Sequence, residues 1–468
     1  MQKIIIKNFG AVKYAEIEIK KVLVLIGEQA SGKSTIAKLI YFFKSLRDDV
    51  FNQIYQDQER DYFDVNTDVV FVLQNKFYNW FGSTKSFSNF EIKFYYDLEI
   101  DKVLTLNLNA DKTLRCKLSS NFLDTKSQTS INEVKKLLQP LSDINTHERL
   151  AHEQNKLAYA NILADELNDL FSCYQVDSLY IIAGRSATVS YSEIFEKHLF
   201  ASVQSRLEKN STLESYLKKQ TGDEILMLKF MEKIIYNKSF LNHYEGRIEK
   251  FKQTDPYFNS FITDKHINRE IVKSKIFEIL KGEYINDNDE EKIMLNSQKS
   301  IDLRNSSSGQ QEVIRVLQDI LVVITKGLKL KGVKLFRVIE EPEAHLFPIA
   351  QKNLVELLAL MVNQNDENQL IITTHSPYIL TVFNNLLFAQ RVIDKNPSVE
   401  PEVSEIIPKE FWLDPEEFSA YSLGNSSIEE EPEYCESIFN QKTGVIKQNY
   451  LDAVSEMLGG DFNALYSI

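Results

Sequence analysis

The chain has 468 residues, of which 43% are hydrophobic and 26% charged, a composition typical of a folded protein with about two to four domains. No apolar run approaches the roughly 18 residues of a membrane-spanning helix, and MQKIIIKNFG lacks the apolar core and cleavage site of a secretory signal. The three cysteines, Cys116, Cys173 and Cys435, are far apart, which does not suggest a zinc site. We therefore expect a soluble protein of the reducing cytoplasm.

The net charge of −13 is unevenly distributed. From Glu400 to the C-terminus there are 15 acidic and 3 basic residues, so the rest of the chain is nearly neutral. At this level the body lacks the basic character of a nucleic-acid-binding protein, and the acidic tail repels phosphate backbones. The tail either attracts a basic partner or is a solvated surface that keeps the protein soluble.

The N-terminal region alternates between apolar and polar residues in the manner of strands. KIIIKNFGAVKYAEIEI predicts two strands with a turn at residues 8–10, followed by a buried strand at Val22–Ile26 and a helix over about 32–46. Residues 90–119 predict a β hairpin region with a turn at residues 109–111.

The later part of the chain changes its pattern twice. From about residue 131 to 295, charged segments with apolar residues at helical spacing predict a helical lobe, interrupted by one strand at 177–185. Strand-like runs return at 335–339 and 369–373, with a helix from Pro348 to about Val362 between them. This order of strand, helix and strand is typical of a parallel sheet.

The segment GEQASGKS at residues 27–34 matches the pattern G-x-x-x-x-G-K-[ST] in full and lies between an apolar strand and a predicted helix. Its glycines allow the backbone to wrap around phosphates, and the amides of the loop and the helix N-terminus then face the anion. Lys33 can reach the β- and γ-phosphates, and Ser34 can bind Mg²⁺. A glycine-rich turn that matches by accident is the alternative, and the correct context argues against it. The residues predicted to contact the nucleotide are Gly27, Glu28, Gln29, Ala30, Ser31, Gly32, Lys33, Ser34 and Thr35.

Two carboxylates and a histidine follow the later strands. Glu340 and Glu341 end the strand LFRVI, and carboxylates at the end of a parallel strand lie in the crevice where phosphates bind. We expect Glu340 to hold Mg²⁺ and Glu341 to orient or deprotonate an attacking water. An acidic turn before the helix at Pro348 is the alternative, and it is compatible with both roles. The next strand ends in THSPY, so His375 lies at an equivalent position, although a lone histidine is commonly structural.

Four motifs occur in the order found in ABC-type ATPases: GEQASGKS at 27–34, SSSGQQE at 306–312, IEEPEAHL at 339–346 and TTHSPY at 373–378. Together with the opening KIIIKNFGAVKYAEIEI, they make the chain resemble the RecF/SMC/OLD-like branch of that family. The motifs span most of the chain. The resemblance implies an α/β, ABC-type P-loop ATPase fold with a mixed β subdomain, a central parallel sheet and an inserted helical lobe.

The resemblance also implies a role for each matching residue. Lys33 falls in Walker A, Glu341 matches the catalytic glutamate, and His375 matches the switch histidine. Glu340 stands where the family usually has an aspartate that binds the metal. Residues 343–346 fall in the D-loop position.

The run SSSGQQE resembles the signature that binds ATP held by a second subunit. Ser307, Gly309 and Gln310 match the last positions of LSGGQ, while Ser306 replaces the leucine and Ser308 the first glycine. The helix that follows directs its free amides toward these residues, which makes its N-terminus an anion site. We therefore expect Ser307 to Gln310 to face the γ-phosphate bound by another copy, so that two chains sandwich two ATP molecules head to tail and higher assemblies of such dimers form.

The Q-loop glutamine is not identified by pattern. Gln74 lies in a predicted helix, and Arg185, at the end of a strand before the helical lobe, is predicted to contact the nucleotide in a related place. The predicted domains are 1–130, the N-terminal ATPase lobe; 131–300, the helical insertion; 301–395, the C-terminal ATPase half; and 396–468, an acidic partner surface.

Shorter patterns bear on the biological role. YIIAGRS at 180–186, ILKGEY at 279–284 and the signature resemble stand-alone ATPases of bacterial anti-phage systems, such as AriA of PARIS systems and PtuA of Septu systems and retrons. This implies a regulatory ATPase that holds a separate nuclease or toxin and responds to a phage protein or DNA. The alternative is a RecF-like DNA-binding repair clamp. A transporter ATPase is a weaker third hypothesis, because the opening strands and the THSPY ending do not fit it.

Overall fold

The structure is a computed structural model that describes residues 1–57, 60, 62–122, 125–139, 146–173, 177–191, 221–254, 263–287, 290–327, 334–424 and 434–447. Much of the predicted acidic partner surface at 396–468 lies outside these residues. Across the described ranges, no helix combines the length and apolarity that crossing a membrane requires.

The N-terminal region forms an antiparallel sheet and a group of helices. Its elements are β1 (Gln2–Phe9), β2 (Val12–Ile19), β3 (Val22–Gly27), α1 (Lys33–Lys44), α2 (Leu46–Gln56), α3 (Val65–Phe81), β4 (Glu91–Asp97), β5 (Lys102–Leu108) and β6 (Leu114–Leu118). The sheet has the order β2-β1-β4-β5-β6. In β1, Ile4 and Ile6 are fully buried while Lys7 is exposed, as the alternating pattern predicts. The predicted turn follows, with positive φ at Asn8 and Gly10.

The middle region is mainly helical. Its elements are α4 (Thr125–Leu138), α5 (Thr146–Phe171), β7 (Asp177–Ile181), α6 (Ala187–Ser190), α7 (Gly222–Thr254), α8 (Thr263–Leu280), β8 (Glu283–Asp287), β9 (Glu290–Asn296) and β10 (Lys299–Asp302). The helices and β7 lie where the sequence predicts them. The antiparallel sheet β10-β9-β8 was not predicted, because these strands are rich in charged and polar residues and, of their described side chains, only Ile293 is fully buried.

The C-terminal region returns to alternating helices and strands. Its elements are α9 (Ser308–Gly327), β11 (Leu335–Glu340), α10 (Pro348–Val362), β12 (Gln369–Thr374), α11 (Pro377–Lys395), α12 (Glu400–Ile406), β13 (Phe418–Leu423), β14 (Cys435–Ser437), β15 (Phe439–Asn440) and β16 (Val445–Ile446). The predicted strands at 335–339 and 369–373 and the helix between them are all present.

The central sheet has the order β14-β13-β3-β12-β11-β7. Every neighbouring pair from β13 to β7 is parallel, and β14 is antiparallel. The carboxyl ends of β3, β7, β11, β12 and β13 therefore meet along one side of the sheet, which we call the carboxyl edge. Because ligands bind beside such edges in open α/β sheets, the fold brings the predicted motifs together. The predicted fold class, α/β with a mixed β subdomain, a central parallel sheet and a helical lobe, is confirmed.

Strand β13 was not predicted, yet it lies next to the strand that carries the phosphate loop. All six of its residues are buried. Two of them, Ser419 and Ser422, are serines, so the strand lacks the continuous apolar run that predicts a buried strand. The Ser419 hydroxyl donates to the carbonyl oxygen of Glu18 at 2.9 Å, so burial leaves it hydrogen-bonded. The central sheet thus extends into the region after residue 395.

A buried ion network joins α9 to the amino end of the sheet. The Arg337 guanidinium on β11 is fully buried. It donates through Nε to Asp319 Oδ2 at 2.6 Å and through Nη2 to Asp177 Oδ2 at 3.1 Å. Lys233 on α7 also binds Asp177, at 2.6 Å. These paired charges hold the helical lobe and β7 in register with β11.

Asp319→Ala should lower the free energy of unfolding by about 3–5 kcal/mol, because it leaves the buried Arg337 cation with only Asp177, a carboxylate that Lys233 also binds. The exposed pair Lys409–Glu400 gives the matched control, since Glu400→Ala should change stability by less than about 1 kcal/mol. Chemical denaturation of both variants measures the difference, and equal effects would contradict a structural role for the buried network.

Candidate functional site

The phosphate loop between β3 and α1 has a backbone that requires its glycines. Gly27 has a φ of 152° and Gly32 a φ of 89°, values that residues with a Cβ rarely adopt. A Cβ at Gly27 would lie 2.1 Å from the carbonyl oxygen of Leu423, and one at Gly32 would lie 2.8 Å from Val12 Cγ2. Ala30 also has a positive φ, 63°. The loop is therefore tightly wrapped between β13 and the β1–β2 turn.

Lys33 is folded back into this loop. Its amine donates to the carbonyl oxygens of Gly27 at 2.9 Å and of Glu28 at 2.7 Å. Burial lowers the pKa of Lys33 to about 8, although the nearby carboxylates of Glu341, Glu343 and Glu28 act to raise it. The ammonium is thus poorly solvated and available to an anion that enters the loop.

The loop fits a phosphate chain. Helix α1 begins at Lys33, and its N-cap Gly32 provides no side-chain hydrogen bond, so the first helical amides are not blocked by a cap. Unblocked amides at a helix N-terminus bind anions. The predicted contact residues Gln29 and Ser34 are exposed beside these amides, and Thr35 is half-buried.

Glu340 ends β11 with a buried carboxylate. Its Oε1 accepts a hydrogen bond from Tyr180 Oη at 2.6 Å, and its Oε2 accepts one from the amide of Ala183 at 3.0 Å. Each carboxylate oxygen can accept a further bond. Ser34 lies on the first turn of α1 at the same carboxyl edge, so the residues predicted to hold the metal are compatible with that role.

Glu341 and His375 lie together at the same edge, as the sequence predicts. Glu341 Oε1 is 3.3 Å from His375 Nε2, and both side chains remain partly exposed. The backbone of Glu341 has a φ of 41°, and its amide donates to the carbonyl oxygen of Thr373 at 2.8 Å. A positive φ outside glycine costs energy and is concentrated at functional sites, where the surroundings hold it in place.

Glu343 was assigned only to the D-loop position, but its carboxylate is part of the site. Its Oε1 accepts hydrogen bonds from Thr374 Oγ1 at 2.7 Å and from the His375 amide at 2.8 Å, while Oε2 is buried with no hydrogen-bond partner among the described residues. Burial raises the pKa of Glu343 against the effect of those two bonds. The carboxylate therefore connects the turn after β11 to the backbone of the predicted switch histidine.

Arg185 differs from its predicted role as a nucleotide contact. Its guanidinium is fully buried and donates to four carbonyl oxygens: those of Glu312 at 3.0 Å, Ile182 at 3.0 Å, Glu340 at 2.6 Å and Glu341 at 3.0 Å. These bonds direct its donors to the backbone. Arg185 is thus a positioning residue that supports the strained backbone of Glu341, and this corrects the prediction. Gln74 lies on α3, as expected.

Glu312 binds the backbone at Arg185 and Ser186 through its carboxylate, and it was not identified from the sequence. It is buried on α9, where its carboxylate accepts from the amides of Arg185 at 2.9 Å and Ser186 at 3.2 Å and from Ser186 Oγ at 2.8 Å. The loop after β7 is therefore fixed to the signature helix. A glutamate inside SSSGQQE, one turn into a helix, was the available signal.

The start of α9 forms a reciprocal cap. Ser307 donates its amide and hydroxyl to Gln310 Oε1, each at 2.9 Å, an arrangement typical of a capping box. Gln310 Nε2 also donates to the carbonyl oxygen of Leu280 at 2.6 Å. A Cβ at Gly309 would lie 2.6 Å from the carbonyl oxygen of His345, so the signature and the D-loop pack against each other within one chain. Ser307 and Ser308 remain exposed.

Three solved structures similar to the chain are SMC head domains. The head bound to the C-terminal winged-helix domain of ScpA is 13% identical, with 81% of this chain and 90% of that chain covered and a TM-score of 0.34. The head from Thermotoga maritima is 11% identical, with coverage of 81% and 90% and a TM-score of 0.31. The Pyrococcus furiosus head bound to the C-terminal domain of ScpA is 13% identical, with coverage of 82% and 92% and a TM-score of 0.31.

No curated protein matches the chain significantly. The family profile AAA_15, described as an AAA ATPase domain, matches residues 1–380. This range contains the phosphate loop, the signature, the carboxylates after β11 and His375, and it covers most of the chain. The protein therefore belongs to the AAA ATPase domain family.

Proposed function

We propose that the protein is a Mg²⁺-dependent ATPase that hydrolyses ATP to ADP and phosphate between two copies of the chain. The observation that carries this proposal is the arrangement of Glu341 and His375, whose side chains are 3.3 Å apart. They directly follow β11 and β12, the two strands next to β3 on one side of the sheet. A carboxylate and a histidine beside a phosphate loop can activate and hold a water molecule.

The phosphate chain binds to the amides of the loop and α1. Lys33 leaves the carbonyl oxygens of Gly27 and Glu28 and pairs with the β- and γ-phosphates, where the anion restores the stability of its charged form. Ser34 and Glu340 would hold Mg²⁺, which neutralises charge on the phosphates when bound.

Glu341 accepts a proton from the attacking water or orients that water toward the γ-phosphate. His375 approaches the Glu341 carboxylate and senses the γ-phosphate as the switch histidine. Glu343 holds the His375 amide, and Arg185 holds the Glu341 carbonyl, so the two groups keep their relative position while the nucleotide changes.

A second copy completes the site. The amino end of α9 carries the exposed Ser307 and Ser308, which are not part of the phosphate loop of their own chain. Phe347 is 74% exposed, Ile349 52% and Tyr378 54%, and these residues lie within three positions of the D-loop or the switch histidine in the chain. Exposed large apolar side chains favour burial against a partner surface. A head-to-tail dimer would place each signature on the other chain's ATP.

The biological role that we propose is regulation of a separate nuclease or toxin in anti-phage defence, in the cytoplasm. The support is the resemblance of YIIAGRS to ATPases of such systems, together with the structural use of that segment. Tyr180 and Ala183 bind Glu340, while Arg185 and Ser186 bind Glu312. ATP binding would close the pair and hydrolysis would open it, which changes how the effector is held.

The affinity for ATP should decrease as pH rises above 8. The pKa of Lys33 is about 8 in the structure and higher when a phosphate pairs with it, so binding above pH 8 takes up a proton. The apparent Kd should rise about fivefold from pH 8 to 9 and about tenfold for each further unit. Calorimetry in buffers of different ionisation enthalpy measures the uptake. Lys33→Arg keeps its charge throughout and is the control; equal pH dependence in both proteins would contradict the assignment to Lys33.

Ser307→Arg should bind ATP with near wild-type affinity but hydrolyse it about a hundredfold more slowly, because the bulky cation blocks a contact made in trans. Ser300→Arg, at an exposed serine of β10, is the control and should remain active.

A mixture of Ser307→Arg and Lys33→Ala tests the shared site directly. Each mixed dimer has one site with both an intact phosphate loop and an intact signature, so random pairing should restore roughly a quarter of the wild-type activity. Wild-type turnover by Ser307→Arg would exclude the shared site.

Glu341→Gln should bind ATP without hydrolysing it and accumulate as a closed oligomer, since the amide cannot accept the proton. Light scattering with size-exclusion chromatography should show an ATP-dependent mass of at least two chains, and ADP should not produce it.

Purification of the Glu341→Gln protein from cells that contain the neighbouring genes tests the biological role. A stoichiometric second protein supports the effector proposal, whereas ATP-dependent duplex DNA that dissociates with salt supports the RecF-like clamp. An unchanged mass with ATP would exclude closure.

A further inference from the structure

The C-terminal segment that follows the family match contacts the phosphate loop directly. Tyr434, which precedes β14, places its hydroxyl 2.6 Å from the carbonyl oxygen of Ser31 and 2.8 Å from that of Ala11. A Cβ at Gly32 would lie 3.1 Å from the same hydroxyl. The family match ends at residue 380, so this contact comes from outside the ATPase domain that the match defines.

Two other contacts fix the same side of the loop. Leu423 pairs with Gly27 at the end of β13, and Gly424, which donates its amide to the carbonyl oxygen of Tyr434 at 2.9 Å, approaches Ser31. A Cβ at Gly424 would lie 2.9 Å from Ser31 Cβ. Residues 423, 424 and 434 thus form one surface against the loop, which we call the C-terminal clamp.

Hydrogen bonds within the loop also support it. The Ser31 amide donates to the carbonyl oxygen of Glu28 at 3.3 Å, which is long for a hydrogen bond. The Lys33 amine donates to the carbonyl oxygens of Gly27 and Glu28 and to Ser31 Oγ. Under the proposed function, on which this inference rests, Lys33 transfers to the phosphates when ATP binds. The loop then loses an internal contact at the moment when its amides must be aligned.

We propose that Tyr434 is a positioning residue for ATP binding, which donates its hydroxyl proton to the phosphate-loop backbone and holds the loop in its binding conformation. A phenol has one proton to donate, and the shorter distance assigns it to Ser31, with Ala11 as the alternative acceptor. A phenol is protonated at neutral pH, and burial raises the pKa of Tyr434 further above its ordinary value. ATP affinity thereby depends on the packing of Gly424 and Tyr434 against the loop.

Tyr434→Phe removes the donor and keeps the ring. The KM for ATP and the Kd for a non-hydrolysable ATP analogue should rise about three- to tenfold, which corresponds to one hydrogen bond between phenol and backbone. The kcat should stay within about twofold, because Glu341 and His375 lie after β11 and β12, whereas Tyr434 contacts the loop after β3. This division between KM and kcat distinguishes positioning of the loop from a general loss of folded protein.

Tyr421→Phe is the matched control. Tyr421 lies on β13, and its hydroxyl accepts a hydrogen bond from the amide of Glu18 at 3.0 Å. Each variant therefore removes one tyrosine hydroxyl that is hydrogen-bonded to the main chain. Thermal unfolding of both variants reports their stability. A similar change in Tm with weaker ATP binding only in Tyr434→Phe supports the proposal.

The outcomes separate this inference from the proposed function. If the wild-type protein binds ATP and Tyr434→Phe has the same KM and Kd, the positioning role is wrong and the ATPase proposal stands. A lower kcat at unchanged KM also overturns it. If Tyr421→Phe weakens ATP binding equally, the effect belongs to the sheet and not to the Tyr434 hydroxyl, and the proposal fails. A wild-type protein that does not bind ATP overturns both proposals.

Discussion

The catalytic side of the molecule depends on one buried cation. Arg185 donates to the carbonyl oxygens of Glu340 and Glu341 at the end of β11 and of Glu312 on the signature helix, while the Glu312 carboxylate binds the amides of the loop after β7. A buried guanidinium is tolerated only when its donors are satisfied. That requirement fixes the distance between the signature helix and the carboxylates, which belong to different elements and serve different phosphates in the proposed dimer.

The same contact gives a physical meaning to the strained backbone at Glu341. Its positive φ directs the carboxylate toward His375, and the bonds from Arg185 and to Thr373 hold that conformation from both sides. Glu343, two residues later, binds the backbone of His375. The turn after β11 is therefore a short rigid unit that contacts both the histidine and, through His345, the signature glycine. A partner chain that moves against this unit would therefore displace Glu341 as well.

The sequence was sufficient to predict the elements whose chemistry or periodicity is local. The phosphate loop has a complete spacing motif between an apolar strand and a helix, and β11, α10 and β12 have continuous apolar patterns. Glu341 and His375 could be paired because parallel strands align their carboxyl ends. Arg185 was placed near the site, but its function depends on burial and on acceptors far along the chain, which a linear pattern does not contain. The same reason hid Glu312 and Glu343, whose partners are backbone amides of other elements. Strands β8 to β10 were hidden by charge, and β13 by buried serines.

The position of β13 has a consequence for how the protein is made. Strand β3 is translated long before its two neighbours in the sheet, β12 at Gln369–Thr374 and β13 at Phe418–Leu423. Contacts between residues so distant in the chain form slowly, because a long loop must close before they contribute stability. Until then β3, whose six residues are all buried in the final fold, is an apolar strand without partners. The phosphate loop therefore assembles only after β13 has been translated, and until then the unpaired apolar strand favours aggregation of the nascent chain.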